Sequence, residues 1–280
     1  MPNRTAKSLV KNFLARRGWA MVRVPPCGAA KHAPAPGGAF FPTDEFFAAA
    51  PSPPLWNLPP ELQSPSMPWQ RVLAALYREP AAWPASIVPE GGLLLHALVR
   101  NIRPATIIEI GSCLGASSIW MGAACNAVGR GTMHLFDDFN TLPEDPRLRA
   151  APIFQDRRRT VEQRLREAGV ADRARFHEGD SKRTVPAAYD QLRAAGGVQL
   201  AFIDGDHSIA GVTADLLAVE PVLQVGGYVL LHDTFPDVCA QPGPRHLIDH
   251  LHEVARGRYQ VCELYTAQLN YGMAILRRIA

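Results

Sequence analysis

The sequence lacks the features that identify several large classes of protein. It contains no apolar run of about 18 residues that would span a membrane, and its first residues lack the uninterrupted apolar segment of a secretory signal. The formal net charge is only +3, so the basic excess typical of a nucleic-acid-binding protein is missing. We therefore expect a cytoplasmic protein that has no membrane span and binds no nucleic acid.

Cysteine is also scarce. The five cysteines are widely separated and form no CxxC pair, which argues against a disulfide framework and against a structural zinc site. A chain of 280 residues is nevertheless long enough to bury a sizeable core without covalent cross-links. One main domain with an appendage is expected.

Proline, by contrast, is concentrated in one stretch. Between Pro25 and Pro68 stand 12 of the 25 prolines, a density that breaks helices and predicts an irregular arm within residues 1–88. The large apolar residues of this arm cannot form a core of their own, so we expect them to cover the substrate side of a site, a dimer mate's site or the far side of a sheet. They are Phe40, Phe41, Phe46, Phe47, Leu55 and Trp56. A homodimer or higher homo-oligomer is expected.

From about Pro89 onward, apolar strand patterns and helix patterns alternate along the chain. "ATIIEIG", "TMHLFDD", "ARFHEGD", "VQLAFID" and "GYVLLHD" read as strands separated by helices, which indicates a parallel sheet covered on both faces. The last two runs, "YQVCELY" and "NYGMAILRR", are joined too closely for a crossover helix. We expect these two strands to pair antiparallel.

The turn after the first strand is rich in glycine but lacks the GxGxxG motif of a dinucleotide site. Gly111 and Gly115 have a GxxxG spacing, which by itself indicates only a tight turn and close helix packing. Glu109 stands inside an apolar strand, so its carboxylate must find partners in turn amides or a ligand amino group. After the second strand, Asp137 or Asp138 lies where folds of this kind place an acceptor for ribose hydroxyls.

The fourth and fifth strands both end in charged residues. Asp204, Asp206 and His207 follow the fourth strand, and they either cap the next helix or belong to a ligand crevice. The fifth strand ends with His232 and Asp233. Because two strand ends converge, the sequence favours a functional site.

These motifs, in this order, resemble the class I S-adenosylmethionine-dependent methyltransferases. The likeness covers roughly Pro89 to Ala280 and is greatest to small-molecule O-methyltransferases that modify macrolide sugars and antibiotics, with a more distant similarity to catechol-type enzymes. It implies a doubly wound α/β domain over residues 89–280, with seven strands in the order 3-2-1-4-5-7-6 and the seventh antiparallel. S-adenosylmethionine would lie over the carboxyl ends of the early strands.

The resemblance also assigns residues to the site. The methionine end of the cofactor would contact the first turn, and Asp204 would lie near the reacting end. The ribose would contact Asp137, and the adenine would contact Asp180 and Ser181. The first-turn residues are Glu109, Gly111, Ser112, Gly115 and Ser117. His207 would be the base that accepts the hydroxyl proton, since an unperturbed imidazole, with a pKa near 6.5, is largely neutral at cellular pH.

The resemblance leaves the metal open. Asp204, His232 and Asp233 could hold Mg²⁺ or Mn²⁺, but catechol-type enzymes have asparagine where this chain has histidine and aspartate. His232 could bind a softer ion, or it could contact the metal ligands without binding the ion itself. The enzyme could also need no metal. His246 and His250 have i, i+4 spacing but lack the glutamate of a HExxH motif, so they indicate a solvated helix face.

The expected reaction is direct methyl transfer to a hydroxyl of a small molecule, such as a secondary metabolite or sugar. Three alternatives remain: an N-methyltransferase, a hydroxylase partner of the kind that this fold occasionally serves, and a non-catalytic cofactor-binding subunit. The presence of Asp204, His207 and Asp233 together favours the enzyme.

Overall fold

A computed structural model describes most of the chain from residue 58 onward. The described residues are 58–79, 82, 85–140, 149–239, 241–253, 255, 257–264 and 271–280. They belong to one compact unit, residues 48–280. The proline-rich stretch before residue 58, with the lid expected from it, lies outside the described residues and stays a prediction.

A seven-stranded sheet forms the centre of this unit. Its strands are β1 (Thr106–Ile110), β2 (Thr132–Asp137), β3 (Ala174–Glu178), β4 (Val198–Ile203), β5 (Leu223–His232), β6 (Tyr259–Leu264) and β7 (Met273–Arg278). Their order is β3-β2-β1-β4-β5-β7-β6. β7 runs antiparallel to β5 and β6, whereas the other pairs are parallel. The predicted topology and closing strand pair are confirmed.

Helices precede, connect and flank the strands. They are α1 (Pro60–Gln63), α2 (Pro68–Leu76), α3 (Pro89–Ile102), α4 (Ala116–Val128), α5 (Arg157–Glu167), α6 (Ser181–Ala187), α7 (Tyr189–Ala194), α8 (Ile209–Val219), α9 (Pro236–Cys239) and α10 (Pro242–Glu253). In the part of the chain that the structure describes, no helix is long and apolar enough to cross a membrane.

Side-chain caps fix where three of the helices begin. The carboxylates of Asp156 and Asp180 cap α5 and α6, and the hydroxyl of Ser208 caps α8. Each accepts a hydrogen bond from a backbone amide that the first helical turn leaves without a partner. Two of these caps, Asp180 and Ser208, stand at the carboxyl edge of the sheet, where the predicted site lies.

Apolar residues of β1, β4 and β5 form the core against α8 and α10. Ile108, Ala201 and Val229 are fully buried in neighbouring strands, and Val212 and Ile248 pack over them from the two helices. The burial of large aliphatic side chains is worth about 1.5–3 kcal/mol each, so this face holds the sheet rigid. The strand ends that carry the site are thereby fixed relative to one another.

An aromatic cluster joins the first helices to the other side of the core. The Trp120 indole nitrogen donates to the Tyr77 hydroxyl at 3.1 Å, and Tyr77 donates to the Ile87 carbonyl at 2.9 Å. The Trp69 ring lies 5.5 Å from that of His96 and 5.3 Å from that of Trp120. From α2 onward, the segment assigned by sequence to the arm therefore packs against α3 and α4.

Candidate active site

Two strand ends bring four polar side chains together. Asp204 directly follows β4, and its amide donates to the Ile110 carbonyl at 2.9 Å, which extends the β1–β4 pairing up to the carboxylate. His232 is the last residue of β5 and Asp233 follows it. Because β4 and β5 are parallel neighbours, their carboxyl ends meet at one edge of the sheet.

The four side chains form a closed network of ion pairs. His207 Nε2 lies 3.2 Å from Asp204 Oδ1 and 2.9 Å from Asp233 Oδ2. His232 Nδ1 lies 3.3 Å from Asp204 Oδ1 and 3.0 Å from Asp233 Oδ1. Each imidazole thus contacts both carboxylates, which shows that the convergence expected from sequence is present.

This network changes the charge state that we expected for His207. Burial lowers the pKa of His207, but hydrogen bonds and charge from Asp204 and Asp233 outweigh it and raise the pKa to about 10. Burial also lowers the pKa of His232. The charges and hydrogen bonds of Asp204 and Asp233 outweigh burial and raise this pKa well above its usual value. This arrangement therefore favours the protonated imidazole of His207 while the two carboxylates carry no cation. The expectation of a largely neutral imidazole used the pKa of an isolated side chain and did not include these two neighbours.

Three of these side chains also offer a possible set of metal ligands. One ligand atom each from Asp204, His232 and Asp233 lies within 4.8 Å of the others. His232 Nε2 is buried and has no hydrogen-bond partner. Two carboxylates with an imidazole suit Mn²⁺ and related ions better than a purely oxygen-seeking Mg²⁺. His246 and His250 are exposed on α10, as expected for a solvated helix face.

The glycine turn after β1 lies directly against this cluster. Gly111 has a φ of +87°, and a Cβ there would stand 2.1 Å from the Asp204 carbonyl oxygen. Gly115 has a φ of +84° and is the N-cap of α4. Only glycine fits Gly111, since an L side chain would meet strained backbone and a fixed neighbouring strand.

Glu109 is fully buried on β1. It accepts hydrogen bonds from the hydroxyls of Ser117 and Ser118 at the start of α4, and Ser112 Oγ lies at 3.5 Å. Burial raises its pKa to about 7, although the serine hydrogen bonds lower it. Its partners are thus hydroxyls of the chain itself, and Ser118 is a partner that the sequence interpretation missed.

Asp137 binds the backbone of two turns. Its Oδ2 accepts from the amides of Ser112 at 2.9 Å and Cys113 at 3.0 Å, and its Oδ1 accepts from the Phe139 amide at 2.7 Å. Arg157 adds an ion pair at 3.0 Å to the same Oδ1. The carboxylate therefore ties the β1 and β2 turns together, and its predicted role as the acceptor of ribose hydroxyls stays a prediction.

Arg157 was not anticipated from the sequence. It is buried at the first position of α5 and also contacts Asp138 at 3.1 Å. Its Nε is buried without a hydrogen-bond partner. A charged guanidinium at this place neutralises two adjacent carboxylates, one of which is the expected ribose acceptor.

The turn expected near the adenine lies at the start of α6. Asp180 Oδ1 accepts from the Lys182 amide at 3.0 Å and thereby caps α6. The Ser181 hydroxyl donates to Asp215 Oδ1 at 2.6 Å. Asp215, on α8, was also missed, although an aspartate within the apolar run "GVTADLL" was a signal that could have found it.

The backbone is strained around this edge of the sheet. Cys113, Phe139 and Asp233 have φ values of 44°, 53° and 57°, in the left-handed region that L residues rarely adopt. They follow β1, β2 and β5 respectively. Such strain of roughly 1 kcal/mol or more per residue persists where the surrounding structure holds it, and it concentrates at functional sites.

Comparison with known proteins identifies the domain. Residues 108–234, from β1 to just past β5, match the family model of a methyltransferase domain. This segment is a methyltransferase domain. The class I methyltransferase resemblance found in the sequence is thereby confirmed.

A curated relative and two solved structures are similar to this chain. The rhamnosyl O-methyltransferase of Mycobacterium leprae (strain TN) is 25% identical over 141 residues, which are 49% of this chain and 52% of that protein, so the match spans about half of its length. TomG, an O-methyltransferase from Streptomyces achromogenes solved with SAM, is 19% identical, with a TM-score of 0.56 over 85% of this chain and 96% of that one. The SAH-bound methyltransferase PaMTH1 of Podospora anserina is 18% identical, with a TM-score of 0.54 over 87% and 100%. At these identities the two structures establish the shared fold.

Proposed function

We propose that this protein is an S-adenosylmethionine-dependent O-methyltransferase that acts on a hydroxyl of a small molecule, either a secondary metabolite or a sugar. The observation that carries the proposal is the convergence of Asp204, His207 and Asp233 beside the Gly111 turn, within a methyltransferase domain. The rhamnosyl O-methyltransferase and TomG, to which the chain is similar, support oxygen as the methylated atom.

The first turn fits the cofactor. Gly111 leaves no side chain between the turn and Asp204, and the Ser112 and Cys113 amides are held by Asp137, so the turn has one defined shape. In the proposal this turn, with Glu109, Gly115 and Ser117 behind it, faces the methionine end. Asp137 or its neighbour Asp138 faces the ribose, while Asp180 and Ser181 face the adenine; the contacts of Asp137 with three amides and Arg157 favour Asp138 as the acceptor.

The cofactor supplies an electrophilic methyl group, and the chain's residues position the acceptor for it. The acceptor oxygen must approach the methyl carbon in line with the breaking carbon–sulfur bond, which makes positioning the main contribution of the protein. As the new carbon–oxygen bond forms, the hydroxyl proton moves to His207 Nε2. When bound, S-adenosylmethionine would supply the methyl group, and its sulfur would keep the electron pair of the carbon–sulfur bond.

The carboxylates of Asp204 and Asp233 favour a proton on His207 Nε2. This nitrogen can accept the hydroxyl proton only after it has lost that first proton. We propose that Asp204, Asp233 and His232 hold a divalent cation, which would supply positive charge in place of the His207 imidazolium and would lower the pKa of a nearby hydroxyl. The donor set fits such an ion, since its three ligand atoms already lie within 4.8 Å of one another. His207 then serves as the base, and the two carboxylates orient it.

A methyl-transfer assay tests the proposal. The protein is incubated with S-adenosylmethionine, a divalent cation and panels of hydroxylated and amine metabolites, and products are identified by mass. We expect O-methylated products, and His207→Ala should lower turnover about 10²- to 10⁴-fold while cofactor affinity stays near normal. His246→Ala, which changes an exposed histidine on α10, is the matched control. Products methylated only on nitrogen, or full turnover in His207→Ala, would contradict the assignment.

The cellular setting is also a proposal. The described cysteines Cys113, Cys125, Cys239 and Cys262 are all free, which suits a reducing cytoplasm. The expected homo-oligomer remains a prediction, and light scattering of the purified full chain would test it.

A further inference from the structure

A buried glycine of α10 contacts the backbone of His207. Gly243 stands in the first turn of α10, and its amide donates to the His207 carbonyl at 3.1 Å. A Cβ on Gly243 would stand 2.4 Å from that carbonyl oxygen and 2.5 Å from the carbonyl oxygen of Ser208. The start of α10 therefore lies directly against the loop that carries the proposed base.

Space, and not backbone conformation, requires glycine at this position. The φ of Gly243 lies outside the left-handed region, so the backbone alone would accept an L side chain. Glycine is less favourable than alanine within a helix, so its presence here needs another reason. The contact with His207 and Ser208 supplies that reason, because an alanine side chain would not fit between α10 and the loop.

The contact holds the middle of a loop whose two ends are fixed by other bonds. At its first residue, the Asp204 amide donates to the Ile110 carbonyl at 2.9 Å. At its last residue, the Ser208 hydroxyl accepts from the Gly211 amide at 3.0 Å and caps α8. His207 lies between these two anchors, and its carbonyl is bound from outside the loop by α10. The position of the His207 backbone therefore depends on where α10 begins.

The start of α10 is itself anchored to the sheet. Arg245, two residues after Gly243, pairs with Glu263 on the edge strand β6, at 3.3 Å between Nη2 and Oε1. Arg245 also pairs with Asp249, one turn further along α10, at 3.1 Å. The helix that presses on the loop is thus held in place by contacts that do not involve the loop.

We propose that Gly243 is a positioning residue for methyl transfer, which keeps His207 Nε2 within reach of the acceptor hydroxyl. The inference rests on the proposed function, because it takes His207 to be the base. It assigns a catalytic effect to α10, a helix that contributes none of the four side chains of the cluster. A displacement of about 1 Å can lower a reaction rate about 100-fold, even when the changed residue lies away from the reacting atoms.

Gly243→Ala tests the proposal in the methyl-transfer assay, with saturating divalent cation and with folding checked by circular dichroism. Non-bonded atoms do not approach to 2.4 Å, so the new Cβ must push the loop and α10 apart by roughly 1 Å. We expect kcat to fall about 10- to 100-fold. The acceptor KM and the affinity for S-adenosylhomocysteine should change by less than about threefold, because neither depends on proton transfer to His207.

Gly227→Ala is the matched control. Gly227 is a buried glycine of β5 whose φ also lies outside the left-handed region, and a Cβ there would stand 2.9 Å from the Gln224 carbonyl oxygen. It lies near the start of β5, at the opposite end of the strand from His232. This variant meets a comparable backbone clash away from the site, so it should lose stability and keep its kcat.

A second measurement needs no turnover. The NMR ring resonances of His207, assigned by their loss in His207→Ala, report the surroundings of the imidazole. They should shift in Gly243→Ala and stay in place in Gly227→Ala. An unchanged kcat in Gly243→Ala, an unchanged His207 resonance, or an equal fall of kcat in the control would each overturn the proposal. Absence of methyl transfer by the unmodified protein would overturn the proposed function instead, and the resonances would still test the contact.

If Gly243→Ala does not fold, Glu263→Ala takes its place. It removes the ion pair that anchors the start of α10 and adds no atom to the contact, at a side chain that is 33% exposed. We expect kcat to fall at least about twofold and the His207 resonance to shift. Asp190→Ala, which removes an exposed ion pair on α7, is its control and should change neither. Unchanged kcat and unchanged resonance in Glu263→Ala would overturn the proposal.

Discussion

Replacing Gly111 by alanine adds one methyl group and tests whether the first turn is in contact with the loop that carries Asp204. The new Cβ would stand 2.1 Å from the Asp204 carbonyl oxygen and 2.6 Å from its carbonyl carbon, and both are backbone atoms that cannot rotate away. The turn and the loop that carries Asp204 must therefore move apart. The φ of +87° adds conformational strain of its own.

The size of the effect follows from these two costs. A left-handed backbone costs alanine about 1 kcal/mol more than glycine, and forcing an extra carbon into a packed place costs about 1–3 kcal/mol. We expect Gly111→Ala to lower the free energy of unfolding by about 2–4 kcal/mol. Since the displaced atoms form the turn and carry Asp204, affinity for S-adenosylhomocysteine should fall at least about tenfold.

Gly129→Ala is the matched control. Gly129, at the end of α4, has a φ of +73°, but a Cβ there would meet nothing within 4 Å. It should cost only the strain of about 1 kcal/mol and leave cofactor affinity unchanged. Chemical denaturation gives the unfolding free energies, and calorimetry gives the affinities. Equal losses of stability in the two variants, with cofactor binding intact in both, would refute the argument that the turn and Asp204 are in contact.

Three further predictions concern the metal, the core and acid stability. A chelator should abolish turnover, and added Mn²⁺ or Mg²⁺ should restore it. The Asp233→Asn variant should need about a tenfold higher metal concentration for the same turnover. Unchanged turnover in the presence of the chelator would exclude a role for the cation. Tyr77→Phe should lower the unfolding free energy by about 1–3 kcal/mol, because the Trp120 indole loses its buried acceptor, without changing cofactor affinity in calorimetry. The pKa of His134 is lowered to about 4 by burial, by His177 at 2.9 Å and by Arg175. The unfolded chain binds a proton at this histidine near pH 6.5, before the folded protein does. The free energy of unfolding should therefore fall by about 1–3 kcal/mol as the pH falls from about 6.5 to 4. Denaturation curves at several pH values should show a smaller loss in a variant that lacks this histidine, and an identical loss would contradict the assignment.

Much of the fold could be predicted because its signals are local. The β-branched run "TIIEI" and the alternation of strands with helices require only neighbouring residues, and the short link before β7 excludes a crossover. The convergence of Asp204 with Asp233 could be predicted for a related reason, since parallel neighbouring strands end at one edge of the sheet.

The unpredicted parts of the site depend on contacts between distant segments. Arg157 reaches Asp137 only because α5 begins beside the β2 turn, and no spacing rule links residues twenty positions apart across an irregular connection. The charge of His207 depends on two carboxylates, one of them 26 residues away on another strand, so its pKa could not be taken from its own neighbours in the sequence. Asp215 differs, because a lone aspartate in an apolar helix was visible in the sequence and only its partner Ser181 was not.

The left-handed conformation of Asp233 has a consequence for engineering this protein. Glycine adopts such a φ without steric cost, so Asp233→Gly would relax the backbone at the end of β5. The same change would leave the imidazoles of His207 and His232 with Asp204 as their one remaining carboxylate in this cluster, which costs more than the strain that it removes. A glycine chosen at position 233 only for its backbone conformation would therefore weaken the protein, and libraries built for thermostability should hold this position constant.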